Sequence, residues 1–178
     1  MNELFEKKSL PFYKFGDTVY LPKIGTEDWV DYICGRFEAT GKHISAELAG
    51  KICRVVDNHS SYVQQLAWLV WIHTDETATE QDFEGAYQDI IDQNTPLFEK
   101  QTESLTAYQM NFLRAVLEGV HREFTTRAIL QKYKLGSSAN VSIVKRALLK
   151  KELIEMEKRQ VVIPDPVMEE WLRRELGL

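Results

Sequence analysis

The stretch "LGSSANVSIVKRALLKKELIEMEKRQVVIPDP", residues 135–166, decides the fold. Gly136 stops one helix and Ser138 opens another, whose Val141, Val144 and Leu148 recur on one face and form its core side. "LIEME" and "QVVIP" are two short extended runs around Lys158-Arg159, a hairpin with a basic tip. Asp165-Pro166 begins a last helix, with Asp as N-cap and Pro at the first helical position. Upstream, Tyr108, Phe112, Ala115 and Val116 mark an amphipathic helix starting near Thr106, and Thr125 or Thr126 caps a shorter one, "RAILQKYKL". The order helix, helix, helix, hairpin, helix is that of a winged helix.

Working outward, the preceding residues carry a helical period. Trp29, Ile33 and Phe37 recur from Thr26 until Gly41. Ser45 caps a second helix bearing Leu48, Ile52, Val55 and Val56, and Ser60 or Ser61 opens a third, "SYVQQLAWLVWIHT". That third helix is apolar around most of its circumference, which predicts a central place in a bundle with Trp68 and Trp71 in the core. Thr79 caps a fourth, with Phe83, Ala86, Tyr87 and Ile90 inward. "DQNTPLFEKQTES", polar and interrupted by Pro96, is the expected junction, and since Pro96 also suits the first turn of a further helix the linker is open to being partly helical. At the beginning, Asn2 to Lys8 reads as the end of a helix, and Thr18 to Leu21 as a short strand.

Composition sets the class. With 44% hydrophobic and 28% charged residues, the 178-residue chain is globular, sized for one mid-sized domain or two small ones. Its longest apolar run, Val63 to Ile72, is too short to span a membrane. Cys34 and Cys53 form no disulfide framework or metal clip, and two free thiols suit a reducing cytoplasm. The net charge of -5 argues against wholesale nucleic-acid binding, yet residues 1–102 carry 9 Lys+Arg against 17 Asp+Glu, and residues 103–178 carry 13 against 10. The basic surplus lies in the second half.

Catalytic motifs are missing. "TGKHIS" has Gly41-Lys42, but His43 stands where a phosphate loop needs a hydroxyl, and no upstream glycine is suitably spaced. His43, His59, His73 and His121 are isolated, and Asp75-Glu76 beside His73 do not converge as three ligands would. No catalytic residue and no metal ligand is assigned.

"NHSSYVQQLAWLVW" (residues 58–71) resembles the "GHPYYVQLL" segment that opens a lid helix in the archaeal-type family of P-loop ATPases, relatives of the STAND and AAA+ classes. "FYKFGDTVYLPKIGTEDWVDYICGRFEATGKHIS" looks like that family's strand-and-lid region, and "DQNTPLFEKQTESLTAYQMNFLRAV" like its bridge into a winged helix. The resemblance covers essentially the whole chain, and the family's phosphate loop and metal-binding acidic strand would lie upstream of Met1. It implies a mainly α chain in four parts. Residues 1–24 are a remnant helix, loop and strand from a nucleotide-binding core; 25–94 are a lid-like bundle; 95–104 are a linker; 105–178 are the winged helix. In such a parent, ATP and magnesium are the cofactors, the upstream ATPase core is a partner, and the start of the lid helix faces the nucleotide. Carried over, Asn58 falls at the motif's Gly, His59 at its His, Ser60 at its Pro, and Ser61 and Tyr62 at its two Tyr. His59, Ser60, Ser61 and Tyr62 are thus the nucleotide-proximal residues, although Gly and Pro are replaced.

On the winged helix, Ser137, Ser138, Asn140 and Ser142 are small or polar, as base reading requires, and Lys145, Arg146, Lys150, Lys158 and Arg159 supply cations. Ile143, Glu155 and Glu157 oppose that use, so DNA contact would be weak and salt-sensitive, and a protein partner is the rival. The expected function is a non-catalytic regulatory fragment of a P-loop ATPase. A stand-alone winged-helix transcriptional regulator and an interaction adaptor are the alternatives. The purified chain is expected to show no ATP turnover above a blank; turnover that survives repurification and is lost on mutating one of its residues would contradict this.

Overall fold

The computed structural model describes residues 22–178. The helix end and strand expected before Pro22 lie outside the described residues. Helices α1 (Thr26–Glu38), α2 (Ala46–Val55), α3 (Ser60–His73) and α4 (Glu80–Thr102) come first. They are followed by α5 (Ala107–Leu117), α6 (Arg127–Lys132), α7 (Ser138–Lys150), the hairpin β1 (Glu155–Glu157) and β2 (Gln160–Val162), and α8 (Pro166–Leu176). The chain is mainly α with one short antiparallel hairpin, as expected.

Most helix starts follow the side-chain chemistry read from the sequence. Ser45 accepts from the Leu48 amide, and Thr79 and Thr106 form reciprocal capping boxes with Asp82 and Gln109. Asp165 accepts from the amides of Val167 and Met168, with Pro166 in the first turn. Ser137 rather than Ser138 caps α7, through the Asn140 amide. At α3 neither serine caps: His59 holds the N-cap position and no side chain bonds the first turn. Gly41 and Gly136, with φ of 77° and 80°, turn the chain out of its helices in a conformation costly for other residues.

Three expectations need correction. Residues 95–104 are not an open junction, since α4 runs on through Pro96 to Thr102. Pro96 deprives the Asp92 carbonyl of its helical donor. In the turn before it, Asn94 Nδ2 and Thr95 Oγ1 donate to the Ile90 and Ile91 carbonyls at 2.7 and 3.0 Å. Burial of Ile90, Ile91 and Phe98 along the same helix keeps it continuous. Nor is Trp68 in the core: it is 56% exposed and Trp71 is half-buried, while α3 buries Val63, Leu66, Leu69 and Val70. Apolar residues all round a helix did not mean burial all round. Tyr108 also departs from its expected face, being 47% exposed.

In the second half, the hairpin pairs Glu155 with Val162, Met156 with Val161 and Glu157 with Gln160. Lys158 and Arg159 form the turn with φ of 47° and 68°, the backbone of a type I′ turn without its usual Asn-Gly. The Val161 amide donates to the His121 carbonyl at 3.0 Å, and His121 Nδ1 lies 2.9 Å from the Val161 carbonyl. His121 thus fixes the wing to the α5–α6 connection.

Replacing Phe98 by Ala is expected to cost about 3–5 kcal/mol in chemical denaturation, whereas Trp68→Ala should cost under about 1 kcal/mol. Equal losses would contradict the burial assigned to the two rings.

Candidate functional site

Two surfaces were expected to carry function. The first is the start of α3. Asp57 and Asn58 both adopt positive φ (48° and 52°), folding the α2–α3 connection back on itself. Lys23 Nζ donates to the Asp57 carbonyl at 2.9 Å, and Asn58 and Thr26 exchange side-chain hydrogen bonds at 3.1 and 3.2 Å. These contacts pin the entering chain beside the first turn of α3. His59, Ser60 and Ser61 are exposed there, at the end of the helix dipole that favours anions. Tyr62 is different. Its ring lies 4.8 Å from that of His59, and its hydroxyl donates to Asp165 Oδ2 at 2.8 Å. Burial, reinforced by that carboxylate, raises its pKa well above the usual phenol value. Asp165 thus caps α8 with one oxygen and receives the Tyr62 hydroxyl of α3 with the other.

Beside this turn, α1 and α3 enclose an open apolar groove of about 410 Å³, lined by Trp29, Tyr32, Phe37, Val63, Trp68 and Trp71 among others. Trp71 Nε1 donates to Thr40 Oγ1 at 2.9 Å and Lys42 Nζ sits 4.5 Å from the Trp71 ring centre. Lys42 also donates to the Trp71 carbonyl at 2.8 Å and to that of Thr74, so the "TGK" lysine closes the end of α3. His73 Nε2 lies 2.7 Å from Asp89 Oδ2, away from any union with Asp75 and Glu76. Among the described residues no group of three His, Cys, Asp or Glu side chains is placed to hold a metal.

The second surface is α7 with the wing. Val141, Val144 and Leu148 face the core as expected, and Ser137, Ser138, Ser142, Arg146 and Lys150 are exposed, with Lys145 half-buried. Asn140 is half-buried, its Nδ2 donating to the Leu135 carbonyl at 2.7 Å, so it acts in the turn before the helix. At the wing, Lys158 and Arg159 are exposed, and Arg122 donates to the Lys158 carbonyl at 3.2 Å. Arg122 is a basic neighbour of the tip that the sequence reading missed; only the return of the α5–α6 connection onto the hairpin brings it there.

Residues 96–174 match the model of a family described as a probable winged helix domain, and the observed order of α5, α6, α7, hairpin and α8 is that fold. The match begins within α4, so the winged helix starts on the second half of a helix it shares with the bundle. No curated protein matches the chain in sequence. In fold it is similar to a Walker-type ATPase of Pyrococcus abyssi, with a TM-score of 0.66 at 16% identity, over 85% of this chain and 42% of that one. A match over 85% exceeds what the winged helix alone occupies, so the likeness includes helices before it. The chain spans less than half of that ATPase. No helix among the described residues is long and apolar enough to cross a membrane.

Burial, with the Glu170 carboxylate as a second cause, raises the Tyr87 phenol to about 12. A folded-state pKa above the unfolded value of about 10 means this contribution to stability is complete below pH 10 and is lost as pH rises toward 12. An ultraviolet titration should therefore show phenols that ionise well above pH 10, and the Tyr62→Phe and Tyr87→Phe variants should each remove one of them. Ionisation of all tyrosines together near pH 10 in the folded chain would contradict the burial.

Proposed function

We propose that this chain is the non-catalytic C-terminal regulatory part of a P-loop ATPase, in which residues 25–94 act as a lid and residues 105–178 as a docking winged helix. The observation that carries the reading is the continuous fold likeness to a Walker-type ATPase across both parts. The composition of the start of α3 adds to it: exposed His59, Ser60 and Ser61 on an uncapped helix N-terminus suit a nucleotide's phosphates. ATP with magnesium would be bound by the upstream core, and the lid would respond to which nucleotide is present. Tyr62 serves as the link rather than as a contact, since its hydroxyl is engaged by Asp165. A change at the first turn of α3 then reaches α8 and the winged helix through that bond and through α4.

The groove between α1 and α3 is a surface that an N-terminal core would cover. A cytoplasmic setting fits the two unpaired thiols Cys34 and Cys53. In the protein that joins this chain to a Walker-type core, ATP should slow amide exchange at residues 58–62 relative to the nucleotide-free state. Exchange there that is the same with ATP, ADP and no nucleotide would contradict the lid role.

A further inference from the structure

Three of the four side chains expected to read bases are engaged within the protein. Ser137 Oγ accepts from the Asn140 amide at 3.2 Å, Asn140 Nδ2 donates to Leu135, and Ser142 Oγ donates back to the Ser138 carbonyl at 3.3 Å. What α7 presents instead is a stripe. Ala139, Ile143, Arg146 and Lys150 follow at helical spacing on one exposed face, and Ile143 is 62% exposed. Tyr108, itself exposed, borders the beginning of the helix: a methyl placed on Gly136 would lie 3.3 Å from its ring and 3.2 Å from the Asn140 amide. Along α7 the face is therefore aliphatic toward its beginning, at Ala139 and Ile143, and cationic toward its end, at Arg146 and Lys150. Among the described residues, neither Arg146 nor Lys150 pairs with a carboxylate.

We propose that this face docks a protein segment that is both acidic and apolar, with Leu- or Phe-like side chains against Ala139 and Ile143 and carboxylates on Arg146 and Lys150. The inference rests on the winged helix being a docking module and is independent of the lid's response to nucleotide. Charge complementarity and an exposed apolar centre select this partner over duplex DNA. Apolar side chains do touch thymine methyls, but neighbouring polar side chains must then supply the hydrogen-bond reading, and here they are engaged. Glu155 and Glu157, both exposed on β1, also oppose the continuous phosphates of a duplex. A peptide carries its charges only where its sequence puts them. Anchors at helical or alternating spacing would span the stripe.

A random-sequence peptide library displayed on phage, selected against the full 178-residue chain, tests this. Enriched peptides should combine Asp or Glu with Leu, Ile, Phe, Met or Trp. Their binding should fall at least tenfold in Ile143→Ser and in the double variant Arg146→Glu/Lys150→Glu, both with circular dichroism melts like the parent chain. A short random DNA duplex serves as the competing probe. The proposal is overturned if no enriched peptide is sensitive to both variants. It is equally overturned if duplex binding is removed by the charge reversal, unchanged by Ile143→Ser, and the selected peptides do not compete with it.

Discussion

The Phe98 ring lies 5.7 Å from that of Trp171, centre to centre, and fastens the second half of α4 to the last helix of the winged domain. Both side chains are buried, and the Trp171 indole N–H finds no hydrogen-bond partner among the described residues, an arrangement that costs about 1–3 kcal/mol. A proline inside a helix costs about 3 kcal/mol more. Against these, each large apolar side chain buried along α4 contributes about 1.5–3 kcal/mol, and Ile90, Ile91 and Phe98 are nearly inaccessible. Apolar packing therefore wins over the local preference for a break at Pro96. Because it wins, the bundle and the winged helix share one rigid rod where the sequence predicts a linker.

That rod gives the two halves a mechanical relation. α4 packs on both α3 and α8. Arg174 of α8 reaches back to Gln88 and lies 5.9 Å from the Tyr87 ring, while Tyr62 reaches across to the cap of α8. The first turn of α3 and the start of α8 thus share the carboxylate of Asp165. The bond between Tyr62 and Asp165 and the packing of α4 thus join the first half of the chain to the winged helix at two places.

Much of this was legible in the sequence because short-range chemistry decides it. Ser45, Thr79, Thr106 and Asp165 sit at helix starts because their oxygens satisfy orphan amides, and Val141, Val144 and Leu148 face inward because their spacing allows nothing else. The misreadings share a different cause. Pro96 and Trp68 are decided by which neighbour packs on them, and local pattern carries no record of that. The partner surface was half legible. The cations of α7 and the wing could be named from sequence, but Asn140 turned inward to Leu135, and Arg122 joined the wing only through the fold. Ile143, noted as an obstacle to DNA reading, became the centre of the face.

The continuous α4 predicts that bundle and winged helix unfold as one cooperative body. Equilibrium unfolding in urea, followed residue by residue by nuclear magnetic resonance, tests this most directly. Signals from α1–α3 and from α5–α7 should disappear at the same midpoint, with α4 amides on both sides of Pro96 lost in that same transition. Two separate midpoints, with the amides after Pro96 lost alone or with only one half, would contradict it.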